Sequence, residues 1–227
     1  MLPRETLASA AIPGSDERLH LVSHGRDFII MLGRDELMSS RMQFSEEQLA
    51  ELTLDRVSNE HPRVLIGGYG MGFTLRAALS KTTSKAQIVV AEIVPEIIEW
   101  ARKEMSAFTG ASLDDPRVRI ELHDVAALID DASDGTAEAY DAILLDVDNG
   151  PDGMVREANA RLYSPTGLGR ARDALVTGGV LAVWSAAEDH KFTRKLKDAG
   201  FSVEQLTVRA RPNNKGPRHH LWFAHKG

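Results

Sequence analysis

The stretch RVLIGGYGMGFTLRAAL, Arg63 to Leu79, decides how this chain folds. Gly67, Gly68, Gly70 and Gly72 fall within six positions, between an apolar run and a helix-like pattern. Glycine allows positive φ and lets a ligand approach the main chain, while the start of a helix offers N–H donors. The arrangement predicts a strand that turns through a ligand-binding loop into a helix.

Outward from this loop, strand-like and helix-like segments alternate. AQIVVAEI precedes a helix from Pro95 to about Phe108, with Pro95 in the first turn, where its missing N–H costs nothing. RVRIELHD precedes a short helix near Val125–Ile129, and YDAILLDVD precedes a loop and a helix ending near Ala174. GGVLAVWS, a helix over 189–199 and FSVEQLTVRA follow, and HHLWFAHK pairs antiparallel with the last strand across RPNNKGPR. Unbroken apolar runs at Ala142–Leu145 and Val180–Trp184 suit strands buried on both faces of a parallel sheet. The expected fold is α/β, a doubly wound and mostly parallel sheet with an antiparallel C-terminal edge strand. Upstream, RLHLVS and DFIIML flank HGR and predict a β-hairpin over Arg18–Leu32. Ser45 with Gln48 three residues later is a capping-box pattern for a helix through about Val57. These signals divide the chain into an N-terminal hairpin arm, 1–44, and an α/β domain, 45–227.

The bulk numbers set limits. The 227 residues suffice for one full core with an appendage. A net charge of -6 argues against a broad nucleic-acid or membrane-surface footprint. The absence of cysteine removes disulfides, thiolate metal sites and a cysteine nucleophile. No run approaches a membrane span and nothing near Met1 reads as a signal peptide, so a soluble, cytoplasmic chain is expected. The basic segment RARPNNKGPRHH reads as a solvated hairpin. His219 and His220 are adjacent on a strand, point to opposite faces and read as structural rather than metal-binding.

The spacing narrows the ligand. Gly-Lys-Ser/Thr of a phosphate-binding loop is missing, and the third glycine of a dinucleotide fingerprint would fall on Phe73. The pattern present, G-x-G-x-G, resembles the nucleoside loop of class I S-adenosylmethionine-dependent transferases. Glu92 ends the second strand, where a carboxylate can accept two ribose hydroxyl bonds worth roughly 1.5–3 kcal/mol each. Asp124, followed by Val125, ends the third strand, where the same fold meets the adenine amino group, and Asp146 ends the fourth. Three carboxylates thus share the carboxyl edge of the sheet, where such folds bind ligands.

Here the chain resembles the spermidine synthase family, the aminopropyltransferases. RVLIGGYGMG stands where that family has VLIIGGGDGG, and YDAILLDVDNGP where it has YDVIIVDSTDPVGP. GRDEL, Tyr163 and ALVTGGVLAVWS also fit. The resemblance implies that Glu92 holds the ribose, Asp124 the adenine, and that Asp146 faces the attacking amine. It also implies a homodimer joined through the arm, although an arm can instead cover its own site. The departures are specific. The loop aspartate that holds the aminopropyl amine is Gly70, the tyrosine and histidine after DE become Met38, Ser39 and Ser40, and Asp148, Asn149 and Asp152 sit in an altered loop.

Gly70 leaves room and main-chain donors for the α-carboxylate of intact S-adenosylmethionine. The expectation is therefore methyl transfer to a small, amine-bearing acceptor, with Asp146 as catalytic carboxylate and Asp148, Asp152 and Tyr163 on the acceptor. Asn159 would join them, and Asp35 and Glu36 would close the pocket from the arm. The alternative is polyamine aminopropyl transfer from decarboxylated S-adenosylmethionine. A third reading is a nucleoside-binding protein without catalysis, which a deep cleft beside Asp146 would exclude.

Overall fold

The structure, a computed structural model, describes residues 4–147, 160–213 and 215–227. Four strands open the chain: β1 (Arg4–Ala11), β2 (Arg18–His24), β3 (Asp27–Leu32) and β4 (Asp35–Ser39). They pair antiparallel in that order, and the expected hairpin is β2 with β3. β1 and β4 enlarge it to a sheet. Neither had a clear alternating signal: β1 is mostly exposed and β4 begins with two exposed acids.

The rest alternates as expected. α1 (Phe44–Leu54), β5 (Arg63–Gly67), α2 (Phe73–Lys81), β6 (Gln87–Ala91), α3 (Pro95–Arg102), α4 (Ser106–Thr109) and β7 (Val118–Glu121) form the first half. α5 (Val125–Ser133), β8 (Tyr140–Leu145), α6 (Pro165–Asp173), β9 (Leu175–Ser185), α7 (His190–Asp198), β10 (Ser202–Arg211) and β11 (Lys215–His225) complete it. The large sheet has the order β10-β11-β9-β8-β5-β6-β7. Neighbours from β9 to β7 are parallel, and β11 lies antiparallel between β9 and β10. The chain reverses its direction of winding between β5 and β8, which opens a crevice beyond their carboxyl ends.

Alternation along each strand divides the core in two. Val64, Ile66, Ile88, Val90, Ala142 and Leu144 face α1, α2, α3 and the N-terminal sheet. Leu65, Val89, Ile143, Leu145, Leu181 and Val183 face α5, α6 and α7. The central strands therefore bury apolar residues on both faces, as read from the sequence.

Two local readings need correction. The capping box at Ser45 does not form, because α1 is capped two residues earlier, at Gln43, which makes no side-chain bond. Ser45 is fully buried and turns inward, and Gln48 bonds to Glu51 instead. The single helix expected from Pro95 to Phe108 is broken after Arg102. The Met105 N–H reaches back to the Trp100 carbonyl, and the Thr109 hydroxyl donates to the Ala101 carbonyl at 2.8 Å, taking up a group the helix leaves open.

Phe192 of α7 is fully buried and meets Tyr163 and Trp222 edge-on, with ring centroids 5.6 and 5.2 Å away. Phe192→Ala should lower unfolding free energy by about 3–5 kcal/mol in a denaturant titration.

Candidate active site

The crevice at the winding reversal is a cavity with walls from both sheets. Gly68 and Gly70 border it after β5, Glu92 and Ile93 after β6, His123, Asp124 and Val125 after β7, and Asp146 and Val147 after β8. The N-terminal sheet closes the other side with Ile12, Leu19, Ile30, Leu37 and Met38. Glu46 of α1 and Trp184 of β9 also border it. The arm thus walls its own site.

Glu92 fixes the loop. It is 4% exposed, and its carboxylate accepts the Tyr69 N–H at 2.9 Å and the Val94 N–H at 2.8 Å, one on each oxygen. Burial raises its pKa, while these two amides with those of Ile93 and Gly70 favour the charged form. Only the Tyr69 and Val94 amides meet hydrogen-bond geometry, one on each oxygen, which leaves each oxygen a lone pair for a further donor. Asp124 caps α5 by accepting the Ala126 N–H at 2.9 Å and also borders the cavity, so both readings of that residue apply.

The glycines act by geometry. Gly68 has φ +84°, and a Cβ there would lie 2.9 Å from the Asp146 carbonyl oxygen. Gly67 is packed by Val125, Leu145 and Val147, and Gly72 caps α2 with φ +72°. At Gly70 the structure departs from expectation. The room reserved for an α-carboxylate is filled by Met38, whose Cε and Sδ would lie 2.7 and 2.8 Å from a Cβ. The main-chain donors are engaged as well. Gly68 bonds to Ala91, Tyr69 to Glu92, Met71 to the Met38 sulfur and Gly72 to Tyr69.

Asp146 stands at the end of β8 with no cation acting on it among the described residues. Its carboxyl is pushed well above the ordinary carboxylate range, first by withdrawal from water and then by the charge of Glu46. Nothing in the sequence pattern marked Glu46. It lies in SEEQ, which reads as a solvated helix face, yet it is 6% exposed. Burial pushes its carboxyl up to about 7, against the opposing hydrogen bond from Ser45. Ser45 also lies 2.8 Å from Nδ1 of His219. With the hydroxyl donating to Glu46, the His219 ring donates to Ser45 through Nδ1–H. Burial lowers His219 to about 4, so the ring is neutral, and it meets Trp184 edge-on at 4.6 Å.

Other expected residues do not join the cavity. Tyr163 is 3% exposed, packs in the second core against Phe192 and is not among the described residues that border the cavity. Asp35 and Glu36 are exposed on β4, and their neighbours Leu37 and Met38 line the cavity instead. Asp148, Asn149, Asp152 and Asn159 lie outside the described residues. Among the described residues no group of acidic and histidine side chains could hold a metal, and no helix is long and apolar enough to cross a membrane.

The raised carboxyl of Glu46 has a consequence for stability. A folded pKa above the unfolded value gives a contribution that is complete below about pH 4.5 and is lost as pH rises through about 7. Glu46→Gln removes this dependence. Thermal unfolding should show the variant gaining on the parent between about pH 5 and 8, by on the order of 3 kcal/mol.

No family model matches the chain. The polyamine aminopropyltransferase of Mycobacterium tuberculosis H37Rv is 33% identical over 163 residues, 69% of this chain and 30% of that one. Polyamine aminopropyltransferase 1 of Hyperthermus butylicus is 31% identical over 153 residues, 66% of this chain and 50% of its own. Putrescine N-methyltransferase 2 of Nicotiana tabacum is 33% identical over 176 residues, 78% of this chain and 44% of its own. The chain therefore spans half or less of the length of these curated relatives. The solved spermidine synthase of Thermotoga maritima superposes with a TM-score of 0.74 at 21% identity, over 98% of this chain and 73% of that one. A spermidine synthase in complex with the transition-state analogue AdoDATO gives 0.72 at 20% identity, over 98% of this chain and 72% of that one. The two structures share the fold of a seven-stranded sheet with a separate N-terminal sheet. With motif, sequence likeness and fold in agreement, the chain belongs to the spermidine synthase-like family.

Proposed function

We propose that the chain transfers an alkyl group from an S-adenosyl sulfonium donor to the amine of a small polyamine-type acceptor. The preferred group is aminopropyl, from decarboxylated S-adenosylmethionine. The observation that carries this reading is Asp146, a carboxylate of raised basicity in one cavity with Glu92 and Asp124. In it, Glu92 accepts the ribose hydroxyls on its free lone pairs, and Asp124 with Val125 borders the adenine.

The sulfonium is already a leaving group, so the protein's task is to align the nucleophile, an effect worth up to ~7–11 kcal/mol. The amine must attack as the neutral base, and free amines with pKa near ~10 are mostly protonated at neutral pH. An ordinary carboxylate near ~3.9 would be a weak acceptor for that proton. The environment of Asp146 makes it a stronger one. The nitrogen lone pair forms the new C–N bond as the C–S pair returns to sulfur, which leaves a neutral thioether nucleoside. The nitrogen's proton passes to Asp146.

The preference for methyl transfer rested on room and donors at Gly70. Met38 fills that room and the loop amides are engaged, which favours a donor without an α-carboxylate. Most of the relatives found are named polyamine aminopropyltransferases. Methyl transfer remains the second reading, because Gly70 lacks the carboxylate expected for a bare ammonium and relatives named putrescine N-methyltransferase are equally similar. A cavity extending from Glu92 past Asp146 to Glu46 and Trp184 speaks against a purely nucleoside-binding role.

Mass spectrometry of putrescine incubated with each donor in turn tests both readings. The expected product carries an aminopropyl group, and Asp146→Asn should slow its formation by roughly 10²–10⁴-fold. A methylated product from the intact donor alone would reverse the order of the two readings. No product from either donor would overturn both.

A further inference from the structure

We propose that Glu46 and Asp146 form one proton-sharing pair that receives a substrate ammonium, so that acceptor binding expels a proton from the site. This rests on the reading of Asp146 as the acceptor's carboxylate and adds Glu46 as a determinant of specificity.

Glu46 lies in the first turn of α1, on the side turned away from solvent. It borders the same cavity as Asp146, and its charge acts on Asp146 across that space. The hydroxyl of Ser45 is the one side chain bonded to it among the described residues. Among the described residues no lysine or arginine compensates either carboxylate. Two uncompensated carboxylates withdrawn from water cannot both ionise without large cost, and the ordinary solution is to retain one proton between them. The groups facing Glu46 do not change this. His219 on β11 is neutral, and Glu47 on α1 adds negative charge. Arg76 on α2 acts on Glu47 rather than on Glu46.

A cation of matching size can take the place of that proton. An alkylammonium supplies one positive charge and up to three N–H donors, which suits two carboxylates. The neighbouring walls of Trp184, Ile12, Ile30 and Leu37 suit a methylene chain. A carboxylate-bearing acceptor would meet like charge. The proton count is independent of where the hydrogen rests after binding. Either the pair is doubly ionised against R–NH₃⁺, or it keeps one proton beside R–NH₂, and both states have lost one proton relative to the empty site plus R–NH₃⁺. The second state is the one poised to attack.

The test is calorimetric titration of the full chain with putrescine, in the presence of methylthioadenosine, in buffers of different protonation enthalpy. At about pH 6.5 the expected release is close to one proton per acceptor bound, falling toward none by about pH 9. Glu46→Gln leaves Asp146 raised by burial alone, so its proton release should fade at lower pH than in the parent, and it should bind putrescine about tenfold or more weakly. If that variant does not fold, the pH dependence of the parent decides alone. Putrescine binding without proton release in the parent, or unchanged release in Glu46→Gln, would overturn the pair while leaving Asp146 as the acceptor's carboxylate. Methylthioadenosine binding with no putrescine binding would overturn the acceptor reading itself and the pair with it.

Discussion

The carboxylate of Glu92 ties the turn after β5 to the turn after β6, and the cavity's shape follows from that tie. One oxygen takes the Tyr69 N–H and the other takes the Val94 N–H. An ionised carboxylate would be costly at this depth, and the main-chain donors offset the cost. The glycine loop can then follow its left-handed path, because its otherwise unpaired amides have partners. Replacing Glu92 would disturb the loop as well as any ligand on it, so its structural and binding roles cannot be separated by mutation alone.

The second constraint is the closing of the cavity by elements outside the parallel sheet. The large sheet alone would leave Asp146 in an open crevice. The N-terminal strands bring Leu19, Ile30 and Met38 over it, and α1 brings Glu46. Withdrawal from water is what changes the chemistry, since it raises both carboxyls and neutralises His219. The scaffold positions the acids, and the cover sets their protonation.

This division also explains what the sequence revealed. The glycine loop, Glu92, Asp124 and Asp146 were legible because each follows an apolar strand directly, and strand ends in this topology share one edge. The doubly wound fold was legible for the same reason, from runs such as YDAILL that are buried at every position. Glu46 was not legible. Its neighbours in SEEQ suggest a wet helix face, and only the packing of α1 against β9 and β11 turns it inward. Met38 was singled out as a departure from the family pattern, but its place against Gly70 depends on how β4 lies over the loop. Tyr163 was placed by its motif position, and its packing around Phe192 could not be read from that position.

The central claim is that Glu92, while holding the loop, presents its remaining lone pairs to a ribose. Calorimetric titration of the unaltered protein with methylthioadenosine and with its 2′,3′-dideoxy counterpart tests this without disturbing the loop. Two charge-assisted hydrogen bonds should make the dideoxy compound bind roughly a hundredfold or more weakly. Equal affinities for the two compounds would contradict the account.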